Sequence, residues 1–399
     1  MIHELHVEYK ETSYRIVSPS KTIEYTKDKV KEIGVKKIKN ITNIDRVGIP
    51  VFLAFRSGVK KGAINVYKGK GVTKEQAKAS VIMEAIERYS AEMRSNDNTI
   101  ISTTEELERC IDPNELILPG RISPDSKLEW CAALNLRNNK KYYVPANAVY
   151  HPYNPRKNSV RLFRSNTNGL ASGNVIEEAI LHGIFEVIER DAWSLFEIRR
   201  RGAKKIDCSN VENEMIENLL NKFKKAKIDI KLLDITSDIK VHTVAAVADD
   251  IHLKDPRLLT IGFGSHLDPE IAVMRALTEV AQSRATEIYG VEESKMRKMF
   301  VERIGYERMK RINYHWFREP EDVIGIEELK NEASNNLKKN IEIVLQKLKK
   351  RGFKDVFIVN LTREIGVPVV RVIIPGLELS TVDPERVGQR AKSGAFNAG

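Results

Sequence analysis

Cysteine is scarce in this chain: Cys110, Cys131 and Cys208 are the only three among 399 residues. Three thiols so far apart build neither a disulfide framework nor a structural zinc site, and they fit a reducing compartment. Long hydrophobic runs are missing too. A bilayer span needs roughly 20 apolar residues, and no run approaches that, so no transmembrane helix is predicted. Met1 to Glu8 has neither a basic leader nor an apolar signal core, so no export is predicted and a cytoplasmic location is expected. No Gly-x-x-x-x-Gly-Lys-Ser/Thr occurs and no Gly-x-Gly-x-x-Gly dinucleotide fingerprint. An aromatic-plus-basic platform and a helix-turn-helix signature are also missing, so nucleic acid is not an expected partner.

What is present is an ordinary globular composition, 42% hydrophobic and 30% charged, with enough chain for a large core. The net charge of +11 is read as solvated Lys-rich helix faces such as Asn336 to Arg351.

Along the chain, Arg15 to Pro19 reads as a strand, and Thr22 opens a helix that Gly34 ends. Val47 to Arg56 reads as a buried strand, and Asn65-Val66-Tyr67 leads into a Gly69-Lys70-Gly71 loop. Thr73 and Gln76 form a capping-box pattern for a helix from Lys74 to Arg94, with its first amides behind that loop, a favourable place for phosphate. Short strands fill 98–160. A polar loop, Asn166 to Asn174, follows, with Asn174 and Glu177 as a second capping box for a helix to about Arg199. Residues 205–265 read as an α/β lobe, followed by a helix from Pro269 to Tyr289. A polar, mobile stretch is expected near 295–322, then a basic helix from Glu327 to Arg351 and strands at 356–359 and 367–374.

Three of these helices share one layout. Glu84-x-x-Glu87-Arg88, Glu186-x-x-Glu189-Arg190 and Glu279-x-x-Gln282-x-Arg284 each follow a polar residue four positions earlier, namely Ser80, His182 and Arg275. Residues at i, i+3 and i+4 share a helix face. One such motif is ordinary on a solvated surface, but these three lie among Ile, Val, Phe and Ala, which predicts burial. Buried carboxylates need cations. Oxygen ligands with few imidazoles or thiolates suit Mg²⁺, and the interspersed Arg with Lys70 suits phosphate. The residues therefore predict a nucleoside triphosphate held with Mg²⁺ among acidic helices. Gly-Lys-Gly is usually only a turn, Asn168-Gly169 also fits a type I′ turn, and His182 fits a packed or supporting residue better than a ligand.

With these motifs the chain resembles the YcaO family. The segments are Gly69 to Arg88, Asn168 to Asp191 (Asn-Gly-x-x-x-Gly followed by Glu-x-x-Glu-Arg-Asp) and Arg275 to Arg284, and the likeness runs from about residue 12 to about 390. The resemblance implies an α+β fold with mixed sheets packed against buried acidic helices around a non-P-loop ATP site. Residues 1–60 would form an N-terminal α/β segment contributing to the nucleotide site, and 61–399 the catalytic domain. By the same resemblance Glu84, Glu87, Glu178, Glu186, Glu189 and Glu279 would bind metal or its water. Arg15, Thr22, Lys70, Ser80, Arg88, Asn174, Arg275, Gln282 and Arg284 would contact nucleotide or phosphate. Ala171 occupies the position of a small hydroxyl in the Asn-Gly loop, with Ser172 beside it. Glu87, Glu189, Gln282 and Arg284 would be catalytic.

The chemistry implied is ATP- and Mg²⁺-dependent phosphorylation of a peptide backbone amide oxygen under attack by a nucleophile. A neighbouring side chain gives an azoline; external sulfide gives a thioamide. Azoline-forming members end in Pro-x-Pro-x-Pro, and this chain ends Ala395-Phe396-Asn397-Ala398-Gly399. It resembles the archaeal thioamide-forming group, which implies a TfuA-like partner, a sulfide source and, as substrate, a glycine of the methyl-coenzyme M reductase alpha subunit. An azoline-forming cyclodehydratase and an ATP-binding accessory factor for ribosomal protein modification are the alternatives. A homodimer, the sulfur donor and the number of Mg²⁺ ions stay open.

Overall fold

The computed structural model describes residues 2–156, 158–291 and 295–392, apart from the side chains of 295–298. Strands β1 (Val35–Asn40), β2 (Val51–Arg56) and β3 (Val66–Lys70) form an antiparallel sheet in that order. Successive side chains of a strand point to opposite faces, so β2 serves two cores. Val51 and Leu53 pack with Ile271, Ala272 and Val280 of helix Pro269–Tyr289. Ala54 packs with Val81 and Ile82 of helix Lys74–Ala91. The boundary expected near residue 60 thus falls between two strands of one sheet.

A second sheet begins with β4 (Thr99–Ser102), β5 (Leu128–Asn135), β6 (Lys140–Pro145) and β7 (Leu170–Ser172). Five strands of a third follow: β8 (Lys204–Asp207), β9 (Asp229–Asp234), β10 (His242–Asp249), β11 (Thr260–His266) and β12 (Val323–Gly325). Their order is β11-β10-β9-β8-β12, with β12 parallel to β8. The chain then returns to the second sheet with β13 (Phe357–Asn360) and β14 (Val369–Ile373), giving β4-β5-β13-β14-β7, with β6 paired to β5. Mixed sheets against helices make the class α+β, as expected.

The three acidic helices form where the sequence predicts them. Thr73 Oγ1 accepts from Gln76 N at 3.1 Å, and Gln76 Oε1 accepts from Val72 N at 2.7 Å, closing the cap of helix Lys74–Ala91. Helix Pro269–Tyr289 begins on Asp268, which accepts from Glu270 N, and ends at Gly290 in the left-handed region. Helix Ile176–Arg199 starts two residues past Asn174, and its N-cap is Val175, without a side-chain bond. The second capping box is therefore corrected: Asn174 and Glu177 bond elsewhere.

Other expectations also change. Ser18 and Pro19, not Thr22, open the first helix, Pro19–Thr26, and a separate turn follows at Lys29–Glu32. Gly69 and Lys70 belong to β3 rather than to a loop. A Cβ on Gly69 would lie 2.3 Å from Val81 N, so glycine lets strand and helix touch. The stretch near 295–322 is helical at Lys295–Ile304, Tyr306–Ile312 and Tyr314–Phe317. Fully buried Trp316 and the Tyr306–Asp249 bond of 2.5 Å pin it, and neither is visible in a polar run. The basic helix spans Leu337–Lys350, capped by Asn336, after a short 3₁₀ turn at Ile326–Glu328. Among the described residues no helix is long and apolar enough to cross a membrane.

Candidate active site

Helix periodicity builds the site. On each acidic helix, residues at i, i+4 and i+7 turn to one side. Ser80, Glu84 and Glu87, then His182, Glu186 and Glu189, then Arg275, Glu279 and Gln282 all line one cavity of about 480 Å³. Sheet and helix packing aims the three faces at each other. Arg15, Thr22, Lys70, Arg88, Asn174 and Glu178 line the same cavity, as does Arg190.

Among the described residues, four ion pairs run through it. Arg88 Nε donates to Glu84 Oε1 at 2.8 Å, and Lys70 pairs with Glu279 across the cavity. Arg190 lies 3.7 Å from Glu189. Arg15 donates to Glu178 at 3.2 Å; the same carboxylate accepts from Ile16 N at 2.7 Å and from Asn174 N and Nδ2 at 2.8 and 2.9 Å. Thr22 Oγ1 donates to Asn174 Oδ1 at 2.9 Å. Glu178 thus ties the N-terminal segment to helix Ile176–Arg199.

Burial governs the acidity. It pushes the Glu87 carboxyl well above its ordinary range, with Glu84 adding to the effect, and it raises Glu189. Glu186 is pushed up to about 6 by burial, against the pull of Arg190. Glu279 goes the other way: burial raises it, but Lys70 and Arg190 outweigh burial and hold it below the usual carboxylate value. His182 is kept neutral by burial and by Arg275, whose Nη2 lies 3.3 Å from its Nε2.

This donor set fits a hard cation: carboxylates dominate, thiolates are absent from the lining, and the one imidazole faces an arginine. Among the described residues no three His, Cys, Asp or Glu side chains come together closely enough to hold a metal ion. The carboxylates therefore suit an ion that also takes ligands from phosphate, the habit of Mg²⁺, rather than a closed protein cage.

Two expected residues lie elsewhere. Arg284 is fully buried and bonds Asp45 at 2.8 and 3.1 Å and Asp250 at 3.1 Å. Two residues past Gln282 is about 200° around the helix, so Gln282 and Arg284 face opposite ways. Ala171 is buried in β7, and strand alternation gives the cavity Ser172 instead, with Oγ 3.3 Å from Glu87 Oε2. The phosphate cradle expected at the start of helix Lys74–Ala91 is also corrected. Gln76 N and Ala77 N both donate to Thr73, residues 71–75 do not line the cavity, and Lys70 and Gln76 are what this turn presents to it.

Sequence reasoning missed Arg371. On β14 it is 1% exposed and donates to the carbonyls of Val149, Asn168 and Asn166 at 3.0, 2.7 and 2.7 Å. It pins the loop that carries Thr167 and Asn174 into the cavity wall. An Arg inside Val369-Val370-Arg371-Val372-Ile373 was the available signal.

A family profile described as "YcaO cyclodehydratase, ATP- and Mg²⁺-binding" matches residues 68–378. A protein of Methanothermobacter thermautotrophicus of unassigned function is 56% identical over 377 residues, 94% of this chain and 98% of its own. A Rhizobium leguminosarum bv. trifolii protein, described as lying in the tfuA 3′ region, is 30% identical over 385 residues, 92% of this chain and 89% of its own. The structure of YcaO from Methanopyrus kandleri bound with AMPPCP and Mg²⁺ superposes with a TM-score of 0.80 at 32% identity, covering 96% of this chain and 98% of that one. Its match to the family profile, its relatives and its fold together establish that this chain belongs to the YcaO family.

Proposed function

We propose that the protein binds ATP and Mg²⁺ in the three-helix cavity and uses them to replace a peptide backbone amide oxygen by sulfur. The observation that carries this reading is the convergence of Glu84, Glu87, Glu186, Glu189 and Glu279 on one cavity together with Lys70, Arg88, Arg190 and Arg275. ATP would be the phosphoryl donor. The carboxylates would hold Mg²⁺, which neutralises phosphate charge, and the basic side chains would grip the phosphates.

Sulfide would add to the amide carbon, leaving the charge on oxygen. That oxygen would attack the γ-phosphorus and release ADP. The C–O bond would then break, phosphate would leave, and the C–S bond would become double as the sulfhydryl proton departs. Glu87 and Glu189, whose proton affinity burial raises, suit that proton. Phosphorylation matters because an amide oxygen is otherwise a poor leaving group. Lys70 and the arginines oppose the charge spread over the transferred phosphoryl group.

The relative in the tfuA 3′ region supports sulfur as the nucleophile and a TfuA-like protein as partner. A glycine of the methyl-coenzyme M reductase alpha subunit is the proposed target. The family description "cyclodehydratase" supports a second reading, azoline formation from a neighbouring Cys, Ser or Thr.

The test is purified protein with ATP, Mg²⁺, sulfide and a peptide from that reductase, with and without the TfuA-like protein. A mass gain of sulfur for oxygen supports thioamidation; loss of water from a Cys- or Ser-containing peptide supports the second reading. Neither mass change, and no peptide-dependent phosphate release, would sink both.

A further inference from the structure

Asp and Glu make up 55 of 399 residues, yet none occurs between Asp45 and Glu75 or between Glu129 and Glu177. Those two stretches hold fourteen Lys and Arg. Fourteen exceeds the net charge of the whole chain, +11, so the rest is slightly acidic and the positive excess resides in these two stretches.

The fold brings parts of them together at the mouth of the cavity. Ile64 and Lys68 from the first and Thr167 from the second line it. Between them Gly62 faces Pro152, whose Cβ is 3.7 Å from where a Cβ on Gly62 would sit. Some of the cations serve elsewhere: Arg56 is buried against Glu92, and Lys140 and Lys141 lie on β6. Lys60, Lys61 and Arg164 are exposed and form no ion pair among the described residues. Arg161 donates to Tyr153 O and Asn154 Oδ1 at 2.6 and 3.1 Å, so its charge also meets no acid. Ile64 and Val160, 52% and 46% exposed, add apolar contact on the same two segments.

A cluster of like charges without counter-charges repels itself and attracts an anionic partner. Base stacking needs exposed aromatic faces, but Tyr67, Tyr150, Tyr153 and Phe163 of these stretches are buried, and Phe52, Phe55, Tyr142 and Tyr143 are half-buried on β2 and β6. That disfavours single-stranded nucleic acid and favours a polypeptide. We propose that this rim is the docking surface for an acidic polypeptide segment that flanks the amide entering the cavity. The inference rests on the reading that the cavity acts on a polypeptide.

A fluorescein-labelled peptide of alternating Glu and Gly tests it, against the same peptide with Gln in place of Glu. Binding is measured by anisotropy to the wild type and to the triple variant Lys60→Glu, Lys61→Glu, Arg164→Glu, none of which lines the cavity. The wild type should bind the Glu peptide and lose it as salt is raised. The Gln peptide and the triple variant should bind about tenfold more weakly or worse. A fluorescent ATP analogue with Mg²⁺ should bind both proteins equally. If the wild type binds the peptide but no nucleotide, the docking surface stands and the reading of the cavity falls. Equal affinity of the two proteins for the Glu peptide overturns the proposal. So does displacement of that peptide by single-stranded RNA at lower concentration than by its unlabelled form.

Discussion

Lys70 and Glu279 lie 209 residues apart in sequence and pair across the cavity, the end of β3 reaching the middle of helix Pro269–Tyr289. Both side chains are 21% exposed, so the pair holds little of the fold. It does keep Glu279 ionised against burial. Lys70→Met should leave the melting temperature nearly unchanged, raise the Glu279 pKa and weaken nucleotide binding about tenfold or more, since a charge-assisted contact to phosphate is lost. Titration with a fluorescent ATP analogue reads the outcome; unchanged affinity would remove Lys70 from the phosphate site.

The helices of the site are pressed onto strands at glycines. A Cβ on Gly69 would meet Val81 N at 2.3 Å, and one on Gly264 would meet Ala272 O at 2.1 Å. Backbone atoms cannot swing aside as a side-chain tip can. Gly69→Ala and Gly264→Ala should each destabilise the fold by about 1–3 kcal/mol or more and shift a cavity wall. Urea unfolding gives the first number; a variant as stable as the wild type would show that the helix can slide.

Arg371 should matter more than its distance from the helix motifs suggests. Arg371→Met would orphan the carbonyls of Val149, Asn166 and Asn168, at about 1–3 kcal/mol for each buried group left unpaired. Arg371→Lys, with fewer donors, should recover only part of that. Hydrogen exchange should show faster opening of residues 166–174 in both variants, most in the Met form.

Three histidines, His182 among them, resist protonation in the fold. His151 is lowered to about 4, by burial first and then by Arg371 and Arg88. His266 falls to about 3, by burial first and then by Arg275 and Arg15, and its Nδ1 accepts from Asp268 N at 3.0 Å, a bond that the neutral ring allows. Below pH 6.5 these rings take protons in the unfolded chain that they refuse in the folded one. The histidines' share of stability should therefore fall as pH drops from about 6.5 toward 4, by roughly 1.4 kcal/mol per pH unit for each ring, while the raised carboxyls of Glu87, Glu186 and Glu189 act in the opposite sense. His151→Gln should flatten that slope between pH 6 and 4 by about one histidine's share. An unchanged slope in urea unfolding would mean that His151 is accessible to protons in the folded state.

Local chemistry made much of this protein legible in its sequence. A Thr73–Gln76 cap, a Pro269 start and a Gly290 stop mark helices without outside help, and the i, i+4, i+7 spacing of acids among aliphatics foretold three faces that line one cavity. The errors follow one pattern. Asn174 looked like a cap because nothing in the chain announces that Thr22 and Glu178 claim its side chain. Residues 295–322 looked loose because burial of Trp316 under Phe196 and Phe263 is a long-range event.

Periodicity along one helix or strand is a property of neighbours, so the sequence by itself determined which side chains share a face and which helices needed counter-ions. Which faces meet depends on contacts between distant segments, and only the tertiary structure decided that. It turned Arg284 away from the cavity toward Asp45 and Asp250, offered Ser172 in place of Ala171, and anchored the Asn-Gly loop on Arg371. Those outcomes depend on how sheets stack on helices, and no local pattern of residues encodes that distance.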